Sequence, residues 1–204
     1  MEHSKEIELK LLLNRDGYDS IEKRFINDKL SIIQENFYFD TNTHILRNNK
    51  ITLRIRKEVH DFNICFKVKN HEEEQSIRKS SEYTLNINEN EFLSIINNPE
   101  SIKKFFSKEA MEILNALNIN QESIVMFGNI RNKRTYIKGL LGYTFELDMS
   151  SFPNNIVEYE LEIENIKSED REKLLNELEN LGVEFSINKK SKYERFVEIL
   201  EHKK

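Results

Sequence analysis

Tryptophan is absent from the 204 residues and cysteine occurs once. With Cys65 alone no disulfide can form within the chain, which fits a reducing compartment. No histidine stands beside it in sequence, so a catalytic thiol is not expected. No apolar run approaches the length needed to cross a bilayer. The opening Met1 to Lys5 is polar and lacks the hydrophobic centre of a signal peptide. Cytoplasm is therefore the expected location, with no membrane partner. An excess of basic residues is also missing: 31 Lys and Arg against 36 Asp and Glu give a formal charge of -5. That balance argues against a nucleic-acid polymer as partner, although a local basic pocket stays open. The five histidines, His3, His44, His60, His71 and His202, are scattered and show no zinc-site spacing, so they are expected at the surface.

Charged residues make up 33% of the chain, and Phe and Tyr supply the bulky apolar anchors. The length suits a single domain, 1–204, with a real core. Alternation predicts a first strand over 5–13, then a helix over 16–32 capped by Asp16, with Ile21, Phe25, Leu30 and Ile33 as its apolar stripe. A strand over 34–40 follows, and 51–58 with 62–69 reads as a hairpin turning at His60-Asp61. The acidic run Glu72 to Glu74 reads as a solvated loop, and 76–85 returns to strand alternation. Helical spacing over 88–117, broken near Pro99, predicts two or three short helices, with Phe105-Phe106 in the core. Strands are expected over 123–130, 133–138, 142–149 and 157–163. A helix runs from Ser168 to Leu181, stopped by Gly182, and a short one covers 193–200. The order is strands, helices, strands, helices, without βαβ alternation, and it points to an antiparallel α+β barrel.

The strands share an unusual phase. Glu6-Ile7-Glu8-Leu9-Lys10 places charge at every second position, so Glu6, Glu8 and Lys10 project to one side. Leu53-Arg54-Ile55-Arg56 and Phe66-Lys67-Val68-Lys69 repeat the alternation with cations. Glu146-Leu147-Asp148 and Glu158-Tyr159-Glu160-Leu161-Glu162 repeat it with carboxylates. Taken singly, each is what a solvated strand face looks like. Together they suggest a sheet closed around a wet, charged interior suited to metal ions and phosphates.

In this order, with Tyr38-Phe39-Asp40, a lone Glu82, Arg134-Thr135-Tyr136 and Lys192-Tyr193-Glu194-Arg195-Phe196, the segments resemble the CYTH superfamily, the triphosphate tunnel metalloenzymes. The resemblance spans almost the whole chain and is closest to the small bacterial CYTH-domain proteins. It implies an α+β fold, a closed antiparallel eight-stranded β-barrel with helices outside, and a divalent-metal-dependent triphosphatase acting on inorganic tripolyphosphate or a related triphosphate. Lys10, Arg54, Arg56, Lys67, Lys69, Arg134 and Lys192 are then the substrate-binding cations. Glu6, Glu8, Glu82, Glu146, Asp148, Glu160 and Glu162 are candidate ligands for Mg²⁺ or Mn²⁺. Glu6, Glu8, Lys10, Glu160 and Glu162 are the expected catalytic group. Glu82 reads equally as a ligand or as a partner that orients a cation. Arg195 reads as structural, and for Tyr38-Phe39-Asp40 an aromatic strand ending in a turn-forming Asp is the alternative. The acceptor of the water proton is left open. A class IV-type adenylate cyclase, a thiamine triphosphatase and a non-catalytic polyphosphate or nucleotide binding module are the alternatives. Monomer and homodimer both stay open.

Overall fold

Period-two burial sets the strands and period-3.6 burial the helices. The computed structural model describes residues 1–25, 29–69 and 77–201, with the side chains of residues 5, 6, 77–79 and 120 outside that description. The acidic run 72–74, His71 and His202 fall outside the described residues. In chain order the elements are β1 (Glu2–Leu13), α1 (Arg15–Arg24), β2 (Leu30–Thr41), α2 (Ile45–Asn48), β3 (Ile51–Glu58), β4 (Asp61–Lys69) and β5 (Ile77–Ile87). Next come α3 (Glu89–Asn97), a 3-10 turn (Pro99–Phe105), α4 (Lys108–Ala116), β6 (Ile124–Lys138), β7 (Thr144–Ser151) and β8 (Val157–Glu164). The chain continues through α5 (Ser168–Asn180), β9 (Phe185–Ile187) and α6 (Lys192–Glu201).

The strands form one large antiparallel sheet in the order β5-β4-β3-β2-β6-β7-β8-β1-β9, with β5 also pairing with β1. Nine strands take part among the described residues, one more than the eight implied by the family resemblance, because the short β9 adds beside Leu11 to Leu13 of β1. No described helix is long and apolar enough to cross a membrane.

Two compact units are distinguished. The first comprises Met1–Lys5, Gln34–Lys69 and Ser80–Asn129. Its core takes Ile51, Leu53 and Ile55 from β3, Phe62, Ile64 and Phe66 from β4, and Phe92, Ile95 and Leu114 from the helices. Asn88 and Glu91 close a capping box at the start of α3, each side chain accepting the other residue's backbone N–H. Pro99 breaks the helical stretch as expected, and Phe105 and Phe106 pack against the core.

The second unit takes Glu6–Ile33 and the chain from Ile130 onward. Here Leu9, Leu11, Phe145, Leu147, Leu161 and Ile163 from the strands pack on Leu174 and Leu178 of α5 and on Tyr18 and Ile21 of α1. Gly182 ends α5 with φ +72°, a conformation that an L side chain resists.

Three expectations are corrected. The helix expected over 16–32 stops at Arg24, and Leu30 and Ile33 belong to β2, since strand pairing overrides a loose amphipathic stripe. Its cap is Asn14 rather than Asp16, the Asn14 side chain accepting the Gly17 N–H at 2.7 Å. The two strands expected over 123–138 are one. Polar Asn132 stays inside the ladder because Ser150 Oγ donates to its Oδ1 at 3.0 Å, so this buried amide does not break the strand.

Candidate functional site

In the second unit the charged phase of four adjacent strands forms two cross-strand rows. One row runs Arg134, Asp148, Glu160 across β6, β7 and β8; the other runs Glu146, Glu162, Lys10 across β7, β8 and β1. Like charges therefore stand directly opposite, Glu146 facing Glu162 and Asp148 facing Glu160, an arrangement that repels unless cations intervene.

The intervening cations are present. The Arg134 guanidinium grips Asp148 with two bonds, Nε to Oδ1 at 2.8 Å and Nη2 to Oδ2 at 2.7 Å. It also donates to Glu162 Oε2 at 2.7 Å and contacts Glu146. Lys10 Nζ lies 2.9 Å from Glu162 and 3.0 Å from Glu8. Lys192, the first residue of α6, reaches Asp148, Glu160 and Glu162 at 2.8, 2.7 and 2.6 Å. Glu8, Glu146, Asp148, Glu160 and Glu162 are all buried.

Charge states follow from these contacts. Burial opposes ionisation of Asp148, but Lys192 and Arg134 outweigh it and hold the carboxyl below its ordinary range. For Glu162 burial is again overcome, by Lys10, Lys192 and Arg134, and the carboxyl lies well below its usual value. Glu146 behaves in the opposite way. Burial, joined by the carboxylates of Glu162, Glu164 and Asp148, lifts it to about 7 against the pull of Arg134. Burial also works against the charge of Lys192, yet the three carboxylates around it raise its affinity for the proton.

Asp148, Glu160 and Glu162 each offer one oxygen within 4.8 Å of the others and all three are buried, a donor set of hard oxygens that fits a divalent cation. Glu8 and Glu146 lie at the margins of this trio, paired with Lys10 and Arg134 respectively. The side chain of Glu6 lies outside the described residues.

Three supporting residues escape the sequence reading or change its sense. Asn188 donates to Glu160 Oε1 at 2.6 Å. Arg195 is buried and pairs with Glu158 at 2.6 Å and Glu160 at 2.7 Å, so its structural role is to position Glu160. The Glu158 carboxylate was visible in the Glu158-x-Glu160-x-Glu162 alternation, whereas nothing around Asn188 marked it.

The first unit carries a second charged face with different contents. Arg54 and Arg56 on β3 share it with Lys67 and Lys69 on β4 and with Glu82 on β5, through the register Arg54 to Cys65 and Lys67 to Glu82. The Glu82 carboxylate lies 3.9 Å from both Arg54 and Lys67. Arg56 Nε donates to Asn36 Oδ1 at 3.2 Å. Burial opposes the charge of Arg54, but Cys65 and Glu82 raise its proton affinity, so the guanidinium stays charged. Burial pushes the Cys65 thiol up, against the pull of Arg54, which keeps it protonated and unreactive near neutrality.

Asp40 is fully buried and accepts the backbone N–H groups of Thr41, Leu46 and Arg47 at 2.7, 2.9 and 3.1 Å, so the Tyr38-Phe39-Asp40 run anchors α2. His44 is half-buried with its ring 4.6 Å from Phe127, a correction to the expected surface position, because the turn into α2 folds it inward.

The CYTH domain family model matches residues 4–197. A Hippeastrum protein described as a candidate adenylyl cyclase with a dominant triphosphatase activity is similar in fold, with 22% identity, 95% of each chain covered and a TM-score of 0.81. A candidate adenylate cyclase from Bacillus halodurans gives 23% identity, a TM-score of 0.78, and coverage of 96% of this chain and 99% of that one. A Pyrococcus horikoshii protein gives 20% identity, a TM-score of 0.57, and coverage of 98% and 99%. No functionally curated protein matches the chain.

Proposed function

Because the chain belongs to the CYTH domain family, we propose that it is a divalent-metal-dependent phosphohydrolase acting on inorganic tripolyphosphate or a related triphosphate compound. Residues 1–204 then form one domain, on the closed eight-stranded barrel that the family implies. The observation that carries the reading is the buried trio Asp148, Glu160 and Glu162 set among Lys10, Arg134 and Lys192. Isolated buried carboxylates are too costly to persist, and six ionisable groups joined in one chain of ion pairs mark a site built to handle charge.

Asp148, Glu160 and Glu162 would hold Mg²⁺ or Mn²⁺, with Glu8 and Glu146 as neighbouring carboxylates and Glu6 as a further candidate ligand. When bound, the ion supplies Lewis-acid polarisation and neutralisation of phosphoryl oxygens. The protein's own part is positioning. Arg134 holds the carboxylates in register through its forked contacts, and Lys10 and Lys192 bring ammonium groups to the same edge. In the first unit Arg54, Arg56, Lys67 and Lys69 bind phosphoryl oxygens, the arginines by paired N–H donors, and Glu82 orients Arg54 and Lys67. No covalent nucleophile is needed, since phosphoryl transfer to water is served by alignment and charge stabilisation.

A second reading, a class IV-type adenylate cyclase, is favoured by the description of the Bacillus halodurans neighbour. One assay separates the outcomes: phosphate release and cyclic AMP formation from tripolyphosphate, ATP and thiamine triphosphate, each with Mg²⁺, Mn²⁺ or chelator. Metal-dependent phosphate release, highest from tripolyphosphate, is expected. Cyclic AMP from ATP would select the cyclase, preference for the organic substrate a thiamine triphosphatase, and binding without turnover a non-catalytic module.

A further inference from the structure

Lys192 touches one oxygen of each member of the acidic trio: Asp148 Oδ2, Glu160 Oε2 and Glu162 Oε1. Each of these oxygens has one further cation beside it, Arg134 at Asp148 Oδ2, Lys10 at Glu162 Oε1 and Arg195 at Glu160 Oε2, but only Lys192 touches all three carboxylates. Asp148 Oδ1 and Glu162 Oε2 accept from Arg134, and Glu160 Oε1 accepts from Asn188. Three carboxylate oxygens thus converge on a single ammonium, in the way that they would converge on a metal ion. Two cations cannot share that point.

Helix electrostatics work against the lysine where it stands. It opens α6, and the N-terminal turn of a helix favours anions and disfavours cations. The carboxylates therefore fix its position, and a stronger cation on the same oxygens would remove the reason for it to stay. Its four-carbon stem lets the ammonium leave without moving the backbone. The helix itself is anchored separately, by buried Tyr193, Phe196 and Val197 and by Arg195 on Glu158.

We propose that the Lys192 ammonium is the resident cation of the carboxylate trio, and that a divalent ion loads by exchange with it. The released ammonium then becomes available to a phosphoryl oxygen, a consequence that rests on the triphosphatase reading. Binding of metal and of triphosphate is in that case mutually reinforcing, because each stabilises the outward position of one side chain.

The test is Mn²⁺ binding without substrate, followed by electron paramagnetic resonance, in the wild-type chain, Lys192→Met and Lys10→Met. Lys192→Met removes the one cation that touches all three carboxylates and is expected to tighten Mn²⁺ binding by about tenfold or more. Lys10→Met removes the same charge from Glu162 but touches neither Asp148 nor Glu160, so a distinctly smaller gain is expected. Equal gains in the two variants, or none in Lys192→Met, would overturn the exchange. Should the variant fail to fold, the wild-type chain decides: reductive methylation of Lys192, read by mass spectrometry, should rise on adding Mn²⁺ in place of chelator, and unchanged reactivity overturns the proposal. Neither readout involves phosphate release. A chain that exchanges its lysine for Mn²⁺ yet cleaves nothing would keep this inference and lose the functional one.

Discussion

The two charged faces differ in balance more than in size. In the second unit five carboxylates, Glu8, Glu146, Asp148, Glu160 and Glu162, interlock with four cations, Lys10, Arg134, Lys192 and Arg195, at contacts mostly below 3 Å. In the first unit the cations Arg54, Arg56, Lys67 and Lys69 share their face with Glu82, whose ion pairs with Arg54 and Lys67 stretch to 3.9 Å. Tight packing of interleaved opposite charges suits a site that exchanges one cation for another. Longer, looser pairs around several cations suit the capture of an anion. One strand grammar, charge at every second position, thus builds two faces that differ in the choice of sign.

The sharpest way to break this comparison is to remove one arginine from each face. Arg134→Met strands Asp148, Glu146 and Glu162 and should cost about 3–5 kcal/mol of unfolding free energy in urea titration. Arg54→Met leaves Glu82 with Lys67 still beside it, and should cost about 1–2 kcal/mol. Equal losses would mean that the faces do not differ in balance. Next in size, Glu162→Gln should lower turnover by about 100-fold and weaken its dependence on metal, with the fold retained by circular dichroism. Arg56→Ala, on the anion-capturing face, should instead raise KM about tenfold, and Lys at that position should recover only part of it. Steady-state kinetics showing the reverse split would exchange the roles given to the two faces.

The smallest effect concerns pH. Glu146 sits at about 7, above its ordinary 4.5, so the folded chain binds the extra proton between those values. Its contribution to stability is complete below pH 4.5 and is lost as pH rises through 7. Glu146→Gln should therefore flatten the fall in melting temperature between pH 5 and 8. Asp148 and Glu162 run the other way, being held low, so their contribution is present above their ordinary range and disappears as pH drops below it.

Much of this was legible because the signal is local. Residues 51–58 and 62–69 declare a hairpin by strict alternation, and Gly182 marks the end of α5 through backbone sterics alone. The charged phase likewise announced Lys10, Arg134, Asp148, Glu160 and Glu162. What stayed hidden depends on partners distant in sequence. Three residues of β9 have no period to read and exist because β1 offers an edge. Asn188 supports Glu160 from 28 residues away, and only the fold supplies that neighbour. The end of α1 at Arg24 was misread because Leu30 and Ile33 satisfy a helical stripe as well as a strand.

The opposed carboxylates on β7 and β8 also tie the sheet to the helix that ends the chain. Glu146 against Glu162 and Asp148 against Glu160 make the pairing of these strands self-repelling unless Arg134 and Lys192 are both in place. Arg134 belongs to the sheet, on β6, but Lys192 lies 28 residues beyond Glu164, the last residue of β8. The charge balance of this strand pairing is therefore completed from α6, by a side chain outside the sheet itself.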